Sequence, residues 1–352
     1  MGALISEGRV MRVVRAAGPG VVEVGEVTVP AVKTPSDAIV SVTASAICGA
    51  DLLPLSGHVP GFEWGTVLGH EFVGTVAEAG PDVPFAVGTR VVCSSTVSCG
   101  TCWYCVHAMS SQCEHMALFG FSGVYPRLDG GQADLVRVPH ADRILWPLPE
   151  GMDDDAAVFL ADILPTAVRT VERAGVAEGD RVVVLGAGPV GLLEGLLADA
   201  SGAEVVMIDP VKRRRDEAER LGLRAAAADE VLSVAEQATT GRGVDVAIEA
   251  SGHPDALATA LAIVRGRGVV CVSGAHFDPD RPVDVGRMFA KELSLRFAMG
   301  SPTDDRARVA EMVLSGRIDP RPLVTHRLPL DAAAEAYRIF RTHEATKVVL
   351  HP

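Results

Sequence analysis

From residue 11 to about residue 98, apolar positions come in short β-branched runs broken by glycine and proline. "VVEVGEVTVP" (21–30), "DAIVSVTASAI" (37–47), "EFVGTVAEAG" (71–80) and "GTRVVCSS" (88–95) are examples. Many short strands with frequent turn signals predict an antiparallel β domain, and residues 130–152 continue in that style. From Asp153 the period changes, and "DDDAAVFLADILPTAVRTVERAGV" places apolar residues at helical spacing. Strand-like "RVVVL" (181–185), "EVVMI" (204–208), "VDVAIEAS" (244–251) and "GVVCVSG" (268–274) then alternate with helical segments. That alternation predicts a parallel, doubly wound sheet. After one more amphipathic helix, "VTHRLPL" and "ATKVVLHP" return to strand texture. The expected architecture is α/β, with a β-rich domain from residues 1–163 and 300–352 and a dinucleotide-type domain at 164–299. Residues 1–10 read as a short extension without the apolar core of a secretory signal.

"VVVLGAGPVGLL" carries Gly186, Gly188 and Gly191 in G-x-G-x-x-G spacing, with Pro189 and Val190 between the last two. The motif runs straight from a strand into a helix. There the first glycine makes the tight turn, the second admits a pyrophosphate and the third allows close helix packing. Asp209 ends the next strand and is placed to accept hydrogen bonds from adenosine ribose hydroxyls, which favours NAD(H). Lys212, Arg213, Arg214 and Arg215 follow it. Most of them suit a solvated helix face, with Arg214 as a ribose contact that leaves NADP(H) open.

"CGTCWYCVHAMSSQC" sets Cys99, Cys102, Cys105 and Cys113 in one window, inside a lobe spanning about residues 95–115. Four thiolates close a tetrahedral shell around zinc with no open position, so such a site is structural. One compact four-cysteine loop beside a nicotinamide-type fold argues against an iron–sulfur cluster. Cys93 and Cys271 read as buried small side chains. A second set of possible ligands lies in "SAICGADLLPLSGHVPGFEWGTVLGHEFVG" (45–74), namely Cys48, His70 and Glu71. Asp162 is an acid in an otherwise apolar segment. A metal would compensate its charge, while an ordinary helix N-cap is the plainer alternative.

Composition narrows the partners. The 352 residues are 48% hydrophobic and 22% charged, with a formal net charge of −13. The acidic balance argues against nucleic acid or an anionic membrane surface. No apolar run approaches the roughly 20 residues that span a bilayer, and a cytoplasmic location is expected. Seven cysteines, four of them clustered, favour metal over disulfides. Only four lysines are present: Lys33, Lys212, Lys291 and Lys347.

"ICGADL", "GHEFVG", the four-cysteine lobe, "GAGPVG" with Asp209, and "EASG" (249–252) together resemble the zinc-containing medium-chain dehydrogenase/reductases, the alcohol dehydrogenase superfamily. "LADILPT" resembles the branch of glutathione-independent formaldehyde dehydrogenases, in which aspartate replaces a cysteine ligand. The resemblance implies a GroES-like catalytic domain beside a Rossmann domain, two zinc ions per chain and NAD(H). By it, Cys48, His70 and Asp162 hold a catalytic zinc, with Glu71 as an alternating ligand. Asp51 would fix the His70 tautomer, and Thr166 would lie beside the nicotinamide. Cys99, Cys102, Cys105 and Cys113 would hold the structural zinc. A homotetramer or homodimer acting on a small-molecule substrate is implied as well.

The chain departs from that pattern where a hydroxyl is usual. Ala50 and Leu53 stand where relatives carry Ser or Thr and, in some, a relay histidine, and neither can pass a proton. The expected function is hydride transfer between NAD(H) and an alcohol or carbonyl, with an atypical proton route. Ordered water or His58 could carry the proton, or a polyol-like substrate could supply its own hydroxyl. Reduction of a C=N or conjugated C=C bond is an alternative, and a redox-inactive NAD-binding member is one from another class. Phe62 and Trp64 either line a substrate cleft or pack beneath their loop.

Overall fold

The computed structural model describes residues 8–276 and 282–352, so residues 1–7 of the expected extension lie outside it. The chain divides into two units, Met1–Asp162 with Ser301–Pro352, and Ile163–Gly300.

The first unit opens with an antiparallel hairpin of β1 (Val10–Gly18) and β2 (Val21–Thr28). Strands β3 (Ala38–Ala46), β4 (Glu71–Ala79) and β5 (Arg90–Cys93) follow. A short pair, β6 (Thr96–Val97) and β7 (Ala117–Leu118), frames the cysteine-rich lobe. Strands β8 (Leu135–Val138) and β9 (Leu145–Pro147) complete this stretch. Period-two alternation sends Ala38, Val40 and Val42 of β3 into a core with Phe72, Val76 and Val91. Val14, Ile47, Leu68 and Tyr337 belong to a separate buried cluster.

The second unit is a six-stranded sheet of β10 (Arg181–Leu185), β11 (Glu204–Ile208), β12 (Arg224–Ala226), β13 (Val244–Glu249), β14 (Val264–Val272) and β15 (Ser294–Phe297). Its order is β12-β11-β10-β13-β14-β15, and every pair is parallel. The order reverses between β10 and β13, the switch point of a Rossmann sheet, where ligands bind outside the carboxyl ends of strands. Val183, Leu185, Val206, Ile208 and Ala247 share one buried cluster.

The chain then returns to the first unit with β16 (Val324–Pro329) and β17 (Lys347–His351). β17 pairs with β3, giving a sheet ordered β16-β17-β3-β4-β5-β9, with β8 also on β3. The C-terminal strand is thereby brought beside the strands that carry Cys48 and His70.

The continuous helical texture read from Asp153 onward is corrected. The segment forms a single turn at Asp154–Ala157, a 3-10 stretch at Val158–Ala161, and only then a helix at Ile163–Ala174. Asp162 is the break, with φ −155° and ψ −69°. It therefore stands outside the helix, with its side chain free of helical constraint.

Candidate metal centres and dinucleotide site

Cys48 follows the end of β3, and Glu71 opens β4 opposite Ala46. Register alone thus brings Cys48 and the His70–Glu71 pair to the same end of adjacent strands. Asp162 joins them, and one donor atom each from Cys48, His70, Glu71 and Asp162 lies within 4.8 Å of all the others. His70 Nε2 is 3.6 Å from Asp162 Oδ2. Bonds of 2.0–2.3 Å to a tetrahedral zinc imply donor separations of about 3.3–3.8 Å, so the spacing suits that ion.

The surroundings fix each donor. Asp51 accepts a hydrogen bond from the Cys48 amide at 2.9 Å and stands 3.0 Å from His70 Nδ1. A carboxylate at Nδ1 holds the proton there and leaves Nε2 for a metal. Gln132 Nε2 donates to Asp51 at 3.5 Å, and the Tyr337 hydroxyl donates to Gln132 at 2.9 Å. The Ser95 hydroxyl donates to Asp162 Oδ1 at 2.7 Å.

The protonation tendencies match a cation site. Burial works against a charged His70, yet Asp51, Cys48 and Asp162 outweigh it and hold its pKa well above the ordinary value. Burial raises Asp162, but the His70 and Ser95 contacts more than offset that and its carboxyl lies below the usual range. Burial and the Glu71 charge push the Cys48 thiol up. Three acids and a thiol gather here with Lys347 as the cation facing Glu71, so a dication would neutralise the charge that remains, and Glu71 Oε1 has no hydrogen bond among the described residues. The donor set therefore fits zinc.

Sequence reasoning missed Lys347, the first residue of β17. It forms a fully buried ion pair with Glu71, both side chains 0% exposed. Its ammonium also stands 5.9 Å from the Phe159 ring centroid. The available signal was compositional, since Lys347 is one of only four lysines and lies inside an apolar strand. Ser95 was missed too, and "SS" before a turn offers no comparable signal.

Cys99, Cys102, Cys105 and Cys113 converge as a second cluster. Cys99 and Cys105 sulfurs are 4.0 Å apart, and those of Cys102 and Cys113 are 3.9 Å apart. A tetrahedron with 2.3 Å zinc–sulfur bonds has edges of about 3.8 Å. The Cys113 sulfur accepts from the amides of Cys99 and His115 at 3.2 and 3.4 Å. Partial burial opposes ionisation of Cys99, but Thr101 and neighbouring amides bring its pKa down to about 5. Burial pushes Cys105 up to about 12. Cys93 and Cys271 are buried, 1% and 0% exposed.

In the second unit, Leu185 is level with Ile208 and Glu249, which aligns the turns after β10, β11 and β13. Gly186 adopts φ +111°, and a Cβ on Gly191 would lie 1.9 Å from the Gly186 oxygen. Only glycine permits that turn and that approach. Gly188 caps the helix Pro189–Asp199, which includes Val190, and a helix N-terminus at a glycine turn is an arrangement that suits an anion. Asp209 is 1% exposed and accepts from the amides of Ala187 and Val211, each at 2.8 Å. Arg214 lies 3.6 Å from the same carboxylate. Thr166 belongs to the helix Ile163–Ala174, and its carbonyl accepts from Thr170.

Of the other singled-out residues, His58 is exposed in the turn after Leu55. Phe62 makes edge contacts with Trp64 and Phe121 at centroid distances of 5.3 and 6.2 Å, and Trp64 is 42% exposed. Ala50 and Leu53 are half-buried beside Asp51. Among the described residues, no helix is long and apolar enough to cross a membrane.

Two family models match, "Alcohol dehydrogenase GroES-like domain" over residues 34–150 and "Zinc-binding dehydrogenase" over residues 189–315. The chain is 39% identical to the medium chain reductase/dehydrogenase ucsI of Acremonium sp over 76% of its length and 94% of that protein. It is 30% identical to an L-threonine 3-dehydrogenase of Bacillus velezensis, over 93% of this chain and 94% of that one. Among solved structures, the alcohol dehydrogenase TADH from Thermus sp. ATN1 superposes with TM-score 0.91 at 34% identity. That superposition covers 97% and 99% of the two chains. This chain therefore belongs to the zinc-containing medium-chain dehydrogenase/reductases, the alcohol dehydrogenase superfamily, an oxidoreductase family.

Proposed function

We propose that the protein is a zinc-dependent oxidoreductase that moves hydride between NAD(H) and the carbinol or carbonyl carbon of a small alcohol or aldehyde. The observation that carries this reading is the convergence of Cys48, His70, Glu71 and Asp162 within 4.8 Å. Cys48, His70 and Asp162 would hold the catalytic ion, and Cys99, Cys102, Cys105 and Cys113 a structural one. Bound zinc supplies Lewis acidity, polarising a carbonyl or lowering the pKa of an alcohol.

The chain's own groups do the rest. Asp51 keeps the proton of His70 on Nδ1. Lys347 holds the Glu71 carboxylate in an ion pair, so Glu71 would serve as an alternate ligand while Cys48, His70 and Asp162 would hold the ion. Gly186, Gly188 and Gly191 would seat the pyrophosphate and Asp209 would take the adenosine ribose, while Arg214, 3.6 Å from that carboxylate, is the cation that a 2′-phosphate would meet. Thr166 is assigned to the nicotinamide side.

Ala50 withholds the hydroxyl that would carry away the alcohol proton. That observation favours a substrate with its own neighbouring hydroxyl, and as a second reading a C=N or conjugated C=C bond. The decisive assay follows deuteride from 4-deuterated NADH and NADPH into a panel of aldehydes, ketones, polyol-derived ketones, imines and enones, with zinc content measured alongside. Transfer to carbonyls supports the first reading and transfer to imines or enones alone the second. Transfer to none would leave an NAD-binding protein without turnover.

A further inference from the structure

The glycine turn after β10 has a second buried carboxylate close by. Glu249, the last residue of β13, is 0% exposed. Its Oε1 accepts from the Ser251 amide at 2.9 Å, the Ser251 hydroxyl at 2.5 Å and the Gly252 amide at 2.9 Å. Its Oε2 stands 2.7 Å from His276 Nε2. A carboxylate so placed orients an imidazole and fixes its tautomer, with the proton on the nitrogen that faces it. The other ring nitrogen, Nδ1, is then an acceptor, and it makes no hydrogen bond among the described residues. The His276 side chain is 17% exposed.

The location gives that free acceptor a meaning. A Cβ on Gly186 would lie 3.0 Å from the Ser251 amide, and one on Gly274 would lie 2.2 Å from the Gly252 amide and 2.5 Å from Glu249 Oε2. The turns after β10, β13 and β14 are therefore packed against one another at the carboxyl edge of the sheet. Asp209, just after β11, marks the adenosine side. With the pyrophosphate at the turn after β10, the second nucleoside of a dinucleotide extends across the switch point over β13 and β14. His276 stands on that side.

We propose that His276, oriented by Glu249, is a cofactor-binding residue whose Nδ1 accepts a hydrogen bond from a hydroxyl of the nicotinamide-side ribose. The proposal rests on the nicotinamide-cofactor reading above. Its test is direct binding, measured by calorimetry and NADH fluorescence, of NADH, ADP-ribose and AMP to the wild-type, His276→Ala and His276→Gln proteins. ADP-ribose carries the second ribose and AMP does not. The expected result for His276→Ala is a loss of about three- to tenfold in affinity for NADH and ADP-ribose, the scale of one hydrogen bond, with AMP unchanged. His276→Gln, which restores an acceptor, recovers part of the loss. Unchanged NADH affinity in His276→Ala, or an equal loss for AMP, overturns the proposal and makes the histidine a tie between two turns. If His276→Ala does not fold, His276→Leu, which fills the space without an acceptor, is read by the same NADH-to-AMP comparison. A wild-type protein that binds AMP but neither NADH nor NADPH sinks the cofactor reading itself, a separate outcome.

Discussion

Lys347 and Glu71 form an ion pair with both side chains fully buried, between the first residue of β17 and the first residue of β4, two strands that both pair with β3. Burial would drive the ammonium toward its neutral form, but Glu71 and then the other nearby acids outweigh this and hold its pKa above the ordinary lysine value. Burial raises Glu71, with Lys347 pulling it back. The pair matters because removing one partner strands the other. Lys347→Met is expected to destabilise the protein by about 3–5 kcal/mol, and Lys347→Met with Glu71→Gln to recover most of that. Urea denaturation of the single and double variants measures the coupling. Additive losses would mean that the two side chains do not depend on one another.

The cysteine lobe should lose its ion without loss of the other. Cys105 is buried and supplies one corner of the second cluster. Cys105→Ser is expected to lower zinc from two to one per chain by elemental analysis, with a lower thermal midpoint. Asp162→Ala should likewise leave one zinc and abolish turnover with little effect on the lobe. Two zincs retained in either variant would remove that residue from the ligand set.

Glu194 gives the protein a specific dependence on pH. It lies in the helix after the glycine motif, 0% exposed. Burial pushes its carboxyl from 4.5 up to about 8, with Ser273 and Thr170 hydroxyls pulling it down and Glu249 pushing it up. Between those two values the folded chain holds a proton that the unfolded chain has released, so stability falls as pH rises through that window. Each pH unit corresponds to about 1.4 kcal/mol. Glu194→Gln is therefore expected to match the wild type near pH 5 and to exceed it by roughly 3–5 kcal/mol at pH 9. Parallel stability–pH curves for the two proteins would contradict the assignment.

Proton exit can be probed at residue 50. If Ala50 limits removal of the alcohol proton, Ala50→Ser should raise kcat for alcohol oxidation near neutral pH by about tenfold or more, within the range of general acid–base contributions. The gain should shrink at high pH, where solvent base takes the proton. Equal rates at equal zinc content would show that the proton already leaves by another path.

Much of this was legible in the chain. Period-two runs and strand–helix alternation predicted the β-rich domain and the parallel Rossmann sheet, because side-chain direction is a local property of each backbone type. The four cysteines and the three glycines were readable for a similar reason, since short-range spacing constrains which atoms meet. Asp162 stood open between metal ligand and helix N-cap on its own residues, and family resemblance tipped it to ligand. Its helical surroundings were misread, since periodicity does not register the single non-helical residue at which the chain breaks.

Sequence by itself therefore determined the two folds, the cysteine cluster and the glycine turn, all of which rest on contacts between near neighbours in the chain. Tertiary structure alone decided that Asp162 reaches His70, that Lys347 neutralises Glu71 and that Glu249 orients His276. Glu71 and Lys347 are separated by most of the chain and meet only because β17 pairs with β3, itself paired with β4. Charges and hydrogen bonds act through space, so the burial that makes them strong is set by how strands pair rather than by the letters beside them.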